Sequence, residues 1–195
     1  MSILDEETEF AVKWSNLSDA QMNEGIRDPI KAFEYMNRYY VLEGNKRVSV
    51  LKYFNAVSIP AIVTRKIPKL SDDYDVRLYY EYMKFNEITG LCSVEFTKLG
   101  NADKLLSLVG KEGRWDDETK EKFAKVMFNF SKVYNFRGGD RLDIKLGDAI
   151  TVFMEVFGMD AMLEMSENDY NKNIINTWKE FAAEGEKHKT VSYTH

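Results

Sequence analysis

The chain has little sulfur and little imidazole. Among its 195 residues there is one cysteine, Cys92, and there are two histidines. A single cysteine excludes an internal disulfide and fits a reducing compartment, so a cytoplasmic setting is expected. Cys92 has no histidine or basic neighbour in sequence to lower its pKa, and it is expected to be buried rather than reactive. Two histidines and one cysteine leave little for a zinc centre. Long hydrophobic runs are also missing. The longest charge-free apolar stretch, Tyr53 to Thr64, is twelve residues and contains Pro60. That is too short to cross a bilayer, and no membrane partner is expected. The Met1 end lacks the basic-then-apolar pattern of a secretion signal. No internal repeat, low-complexity segment or Gly/Ser-rich linker is present.

What the chain does have is apolar residues, at 44%, and aromatics, at 13%, enough to bury a core; charged residues make up 30%, an ordinary share. The net charge of −5 is unevenly laid out. Residues 1–29 carry seven acids and two bases, and residues 69–195 carry 23 acids and 18 bases. Between them, residues 30–68 carry seven bases and only two acids, Glu34 and Glu43. Positive charge is therefore concentrated in one short segment, which is usually a solvated face and in some proteins a ligand site.

Periodicity places the elements. Glu6 to Glu24 reads as a helix, with Phe10, Trp14 and Leu17 on one face and Asp5, Glu6, Glu7 and Glu9 in its first turn; Gly25 is the expected stop. Residues 30–36 and 39–44 read as neighbouring strands with Asn37 and Arg38 between them. Asn45 to Phe54 reads as a short helix packed through Val48, Leu51 and Phe54, and 57–65 as a strand with Pro60 near its start. Beyond Pro68 the pattern turns helical. Ser71 is the expected N-cap of a helix to about Gly90, residues 92–98 read as a further strand, and Asn101 is the expected cap of a helix to Gly110. Helices follow through Phe123, Val126, Met127, Phe130, Val133 and Tyr134, through Ile150, Phe153, Met154 and Phe157, and, after a capping box at Ser166–Asp169, through Ile174, Ile175, Trp178 and Phe181. Met127, Met154, Met159, Met162 and Met165 read as core filler, and the polar tail from Gly185 as frayed. The expected fold class is α+β: a small mixed-sheet block over 1–68, then a mostly helical half over 69–195 packed against it.

The segment 41–54, VLEGNKRVSVLKYF, carries the chemistry. A strand ends at Glu43, Gly44 follows, and a helix opens with Asn45, Lys46 and Arg47. Cations are mildly unfavourable at a helix N-terminus. The same place presents free backbone N–H groups, and glycine allows close approach, so strand, glycine and helix start suit a phosphate or carboxylate. Asn45 can cap the helix or touch the ligand, and Glu43 can help hold magnesium or pair with Lys46 or Arg47. The bland reading is a turn whose cations bind surface acids. Elsewhere, Arg137-Gly138-Gly139-Asp140-Arg141 reads as a surface turn or pocket rim, and Asp140 and Asp143 as acids that could hold a metal ion but in such spacing are usually just solvated.

Three segments in order, EGIRDPI (24–30), YYVLEGNKR (39–47) and VSIPAIV (57–63), make residues 6–68 resemble the N-terminal domain of ParB proteins within the ParB/sulfiredoxin-like superfamily. The resemblance implies a bacterial, cytoplasmic, nucleotide- or phosphate-binding module of regulatory type. Its site would comprise Gly44, Asn45, Lys46 and Arg47 with Glu43 and Arg27, and its ligand would be a nucleotide with Mg2+. Asn45 stands where sulfiredoxins carry the catalytic cysteine, so that activity is not expected. Ser49 stands where the ParB pattern has a further arginine, and the strand that usually precedes the first helix is not seen. The alternative is a DNA-associated ParB-like protein, or a nuclease or slow nucleotidase. The acidic helical half argues against tracking DNA phosphates, so DNA binding is expected to be weak, salt-sensitive and without sequence preference. A homo-oligomer is compatible with the sequence. No nucleophile, base and orienting group can be assembled into a catalytic set.

Overall fold

The computed structural model describes residues 9–192, so Asp5, Glu6 and Glu7, and the Phe10 side chain, lie outside the described residues. The chain divides after Lys69 into two compact units, and the fold class is α+β.

The N-terminal unit runs α1 (Glu9–Asn23), β1 (Ile30–Tyr35), β2 (Arg38–Glu43), α2 (Asn45–Tyr53) and β3 (Ala61–Arg65). Its sheet has the order β2-β1-β3, with β2 antiparallel and β3 parallel to β1. The hairpin turn is Met36-Asn37, one residue earlier than the sequence indicated, and both residues have positive φ, 50° and 61°. That is the two-residue connection whose twist matches the strands, built here without glycine. Asn37 N–H donates to the Glu34 carboxylate at 2.7 Å, which steadies the turn. Glu34 is itself buried on the central strand and accepts from Arg65 Nε at 2.7 Å.

α1 lies against α2, where Trp14 stacks edge-on against Tyr53 at 5.4 Å and its Nε1 donates to Ser49 Oγ at 3.3 Å. The buried residues of α2 are Val50 and Leu51 rather than the stripe Val48, Leu51 and Phe54. A strict three-residue spacing drifts off one face of a 3.6-residue helix, and 47, 50, 51 and 54 share a face better.

The C-terminal unit is helical: α3 (Tyr74–Thr89), α4 (Asn101–Val109), α5 (Asp117–Phe136), α6 (Leu146–Phe157), α7 (Met159–Glu164), α8 (Glu167–Asn176) and α9 (Trp178–Ser192), with a short 3-10 turn at Gly139–Arg141. Phe85, Phe123, Phe130, Phe153, Tyr170, Ile174 and Phe181 belong to one buried cluster. Met154 and Met162 are fully buried in it and Met127, Met159 and Met165 pack around it, as the core-filler reading required.

Several local expectations need correction. Asp73, not Ser71, caps α3, accepting from the N–H groups of Asp75 and Val76. Residues 92–98 form no strand. Val94 and Phe96 point into the helical core, while Thr97 N–H goes to Asp148 at 2.7 Å and Glu95 C=O accepts from Gly147 N–H, so the backbone is satisfied without a ladder. Gly100 in the left-handed conformation precedes α4, leaving Asn101 as its first residue with its amide donating to Asp148 at 2.8 Å. Cys92 is exposed, in a bend after Gly90, and Asn86 Nδ2 donates to its sulfur. The tail beyond Gly185 continues as α9 to Ser192. The Ser166–Asp169 capping box is present, with the hydroxyl accepting from Asp169 N–H and the carboxylate from Ser166 N–H. Among the described residues no helix is long and apolar enough to cross a membrane.

Candidate functional site

Gly44 joins β2 to α2. It sits between the last strand residue and the first helical one with φ 102° and ψ 22°. A Cβ built on it would lie 2.6 Å from Ile30 Cγ2. Both the left-handed backbone and the contact with β1 therefore demand glycine at this junction. The first intrahelical bond is from Val48 N–H to Gly44 C=O at 3.0 Å, so the N–H groups of the first turn lie ahead of the intrahelical ladder and face the helix mouth. Asn45 is not the cap. Gly44 occupies that position and no side chain caps the helix, because Asn45 has already taken helical geometry.

In front of this helix start is a depression of about 590 Å³ lined by Lys13, Asn16, Leu17, Gly44, Asn45, Lys46 and Arg47. That is within the size range of small-molecule sites, roughly 300–1,000 Å³. Among the described residues no acid lines it, but one stands close by. Glu9, one turn before Lys13 on α1, accepts from the Lys13 ammonium, and its carboxyl is held below the usual range first by Lys13 and then by Lys46. A second depression, of about 660 Å³, runs beside it along Leu17, Ala20, Asn23, Glu24, Gly25, Ile26, Arg27, Asp28 and Arg47. Its cations, Arg27 and Arg47, share its lining with the acids Glu24 and Asp28, whereas the charged residues in the described lining of the first depression are cations alone.

The structure thus gathers Gly44, Asn45, Lys46 and Arg47 in one place, sets Arg27 in the neighbouring depression, and separates Glu43 from both. Glu43 pairs with Lys31 at 2.8 Å, its register partner on β1, and the Lys31 ammonium holds its carboxyl below the usual range. Its ion-pair partner is Lys31, and Arg47 adds a weaker attraction from farther off. Among the described residues no group of three or more His, Cys, Asp or Glu is placed to hold a metal ion. Asp140 and Asp143 belong to no such group.

Arg47 lines both depressions, and it also has structural work. Its Nη1 donates to the carbonyls of Asp28 at 3.1 Å and Pro29 at 2.8 Å, tying the start of α2 to the backbone that leads into β1. Arg47 is therefore a structural residue despite its place at a helix N-terminus. The helix dipole disfavours it there, but two carbonyls offset that cost. Lys13, Asn16 and Leu17 are lining residues that sequence reasoning missed. Their spacing of three and four puts them on one face of α1, and a polar pair beside the apolar face was the available signal.

The chain matches no family model, no curated protein and no solved structure.

Proposed function

We propose that the N-terminal unit is an anion-binding module of the nucleotide- or phosphate-binding kind, with regulatory rather than catalytic character, and that the anion sits at the start of α2. The observation that carries this reading is Gly44: a left-handed glycine that opens a helix N-terminus into a depression lined, among the described residues, by cations and amides and by no acid. Backbone N–H groups of Asn45 to Arg47 would take the anion's oxygens, the Asn45 and Asn16 amides would donate from either side, and Lys46 would supply charge. Arg47 spends Nη1 on Asp28 and Pro29, which leaves donors on Nε and Nη2 for a ligand. Among the described residues no carboxylate lines the depression, so magnesium would arrive on the phosphates of a nucleotide. The ParB-like order of segments supports the same ligand class.

The test is thermal unfolding of the full chain with phosphate, sulfate and nucleoside mono-, di- and triphosphates, each with and without magnesium. A ligand at about a hundred times its Kd adds roughly 2.7 kcal/mol. The reading requires that at least one of these anions raises the melting point and that Lys46→Glu removes the effect. If none shifts the transition, or if Lys46→Glu leaves the shift intact, the site is not at α2.

A further inference from the structure

β3 ends the sheet, and among the described residues no strand pairs with its outer side. Its contacts with β1 fix which backbone groups face outward. Pro60 C=O accepts from Ile30 N–H, and Lys66 N–H donates to Glu34 C=O. Hydrogen-bonding direction alternates along a parallel strand, so Ile62 and Thr64 turn their N–H and C=O groups toward β1 while Ala61 and Val63 turn theirs to the open edge.

The two edges of this sheet are protected very differently. Along β2 the register slips between Lys31 and Ala32, so that Leu42 is an extra residue, and the strand carries Arg38 and Glu43 at its ends. Bulges and charges of this kind discourage further pairing. β3 has a regular register with β1 over all its residues. Every residue of β3 is exposed, with Ile62 at 60% and Val63 at 42%. Proline stops just short of it, at Pro60, and its only charge, Arg65, is at one end, bound to Glu34.

We propose that the open edge of β3 is a self-association surface, on which a second copy of this chain adds its own β3 antiparallel, about a two-fold axis through Val63. The sequence AIVTR is suited to meeting itself that way. Val63 meets Val63 of the copy and exchanges both main-chain hydrogen bonds with it. Ile62 meets Thr64, a β-branched pair, and Arg65 falls opposite Ala61. A parallel arrangement would instead bring Arg65 and Lys66 alongside their own copies, a repulsive stack. The contact is isologous, so it closes at a dimer, and the edges then left over are the guarded ones of β2.

The test uses the full chain in sedimentation at increasing concentration, together with two substitutions at the axis. Val63 gives nothing to the β1 ladder, so Val63→Pro keeps the sheet and deletes the central edge donor. Val63→Lys sets like charges opposite each other. The expected result is a concentration-dependent dimer that both variants abolish with folding unchanged by circular dichroism. In a Cys92→Ser background, Val63→Cys should cross-link to a covalent dimer under mild oxidation, because hydrogen-bonded antiparallel partners have Cα atoms about 5.5 Å apart. Ala61→Cys should not, because its own copy lies well along the strand. A monomer at all concentrations, a dimer that survives both Val63 variants, or cross-linking at Ala61 but not Val63 would overturn the proposal.

Discussion

The two units of this chain keep their shape by different means. The C-terminal unit has a continuous aromatic core in which Phe130 touches Tyr134, Phe153 and Phe181 with ring centroids 5.1 to 6.1 Å apart. Among the described residues of the N-terminal unit the buried apolar side chains are Ile30, Ala32, Val50, Leu51 and Pro68, while Tyr39, Leu42, Tyr53, Val57 and Ile62 remain exposed. Its geometry rests on single polar ties and on one glycine: Arg47 on the Asp28 and Pro29 carbonyls, Glu34 on Arg65 and the hairpin turn, and Gly44 against Ile30. A unit held by few contacts opens at low free energy. It is also one in which a bound anion would change stability measurably, which suits a regulatory site.

The contrast can be attacked first where it is strongest. Phe130→Ala removes a fully buried ring and should cost about 3–5 kcal/mol. Hydrogen exchange should show the loss across α5, α6 and α9, with β1 and β2 little changed. Comparable loosening of the sheet would mean that the two units do not draw on separate cores.

Gly44→Ala is the corresponding break in the N-terminal unit. It forces a side chain into positive φ, about 1–3 kcal/mol, and drives a methyl group against Ile30. The sheet and α2 should lose exchange protection, and the C-terminal helices should keep theirs. Unchanged protection at β1 would show that the junction is not under the constraint described.

Much of this was legible in the chain. Glu43, Gly44 and Asn45 announce a strand, a break and a helix start, and the structure places the three in that order. The long apolar periods at 123–134 and 150–157 mark the helices that build the aromatic core, because burying a whole face leaves a signal over many residues. What failed was decided by one or two atoms. Asp73 outcompetes Ser71 as a cap because the helix begins at Tyr74. Residues 92–98 alternate like a strand, yet Asp148, some fifty residues on, takes Thr97's N–H. The partners of Glu43 and Arg47 could not be read at all, since Lys31 and the Asp28 and Pro29 carbonyls reach them only through the hairpin's register and the sheet's approach to α2.

Arg47→Ala sharpens the comparison at the candidate site. Losing the bonds to Asp28 and Pro29 should cost about 1.5 kcal/mol, the low end for a charged donor, and it should loosen the backbone before β1. Arg47→Lys should recover part of that stability but lack the fork that spans two carbonyls. If Arg47→Ala melts like the parent chain, the tie to Asp28 and Pro29 contributes nothing.

The smallest effect tests how the helices of the C-terminal unit begin. Asp116 caps α5, accepting from Thr119 N–H at 2.9 Å, Thr119 Oγ1 at 2.6 Å and Lys111 Nζ at 2.5 Å. These donors, Lys111 first, hold its carboxyl far below the ordinary aspartate value of 3.8. Asp169, in the α8 capping box, is lowered by Ser166. A carboxyl lowered in the folded state binds protons more weakly than in the unfolded chain. Its contribution is therefore complete above the ordinary value and is lost as pH falls through the lower, folded one. Acidification from neutral pH to below 3.8 should release the first turns of α5 and α8 before the aromatic core loses protection. Asn is as good a cap as Asp, so Asp116→Asn should be close to neutral at pH 7 and should flatten the acid slope. Both groups are exposed, and salt should shrink the effect. Parent and variant curves that run parallel from pH 7 to pH 2 would show that the Asp116 cap is not linked to folding.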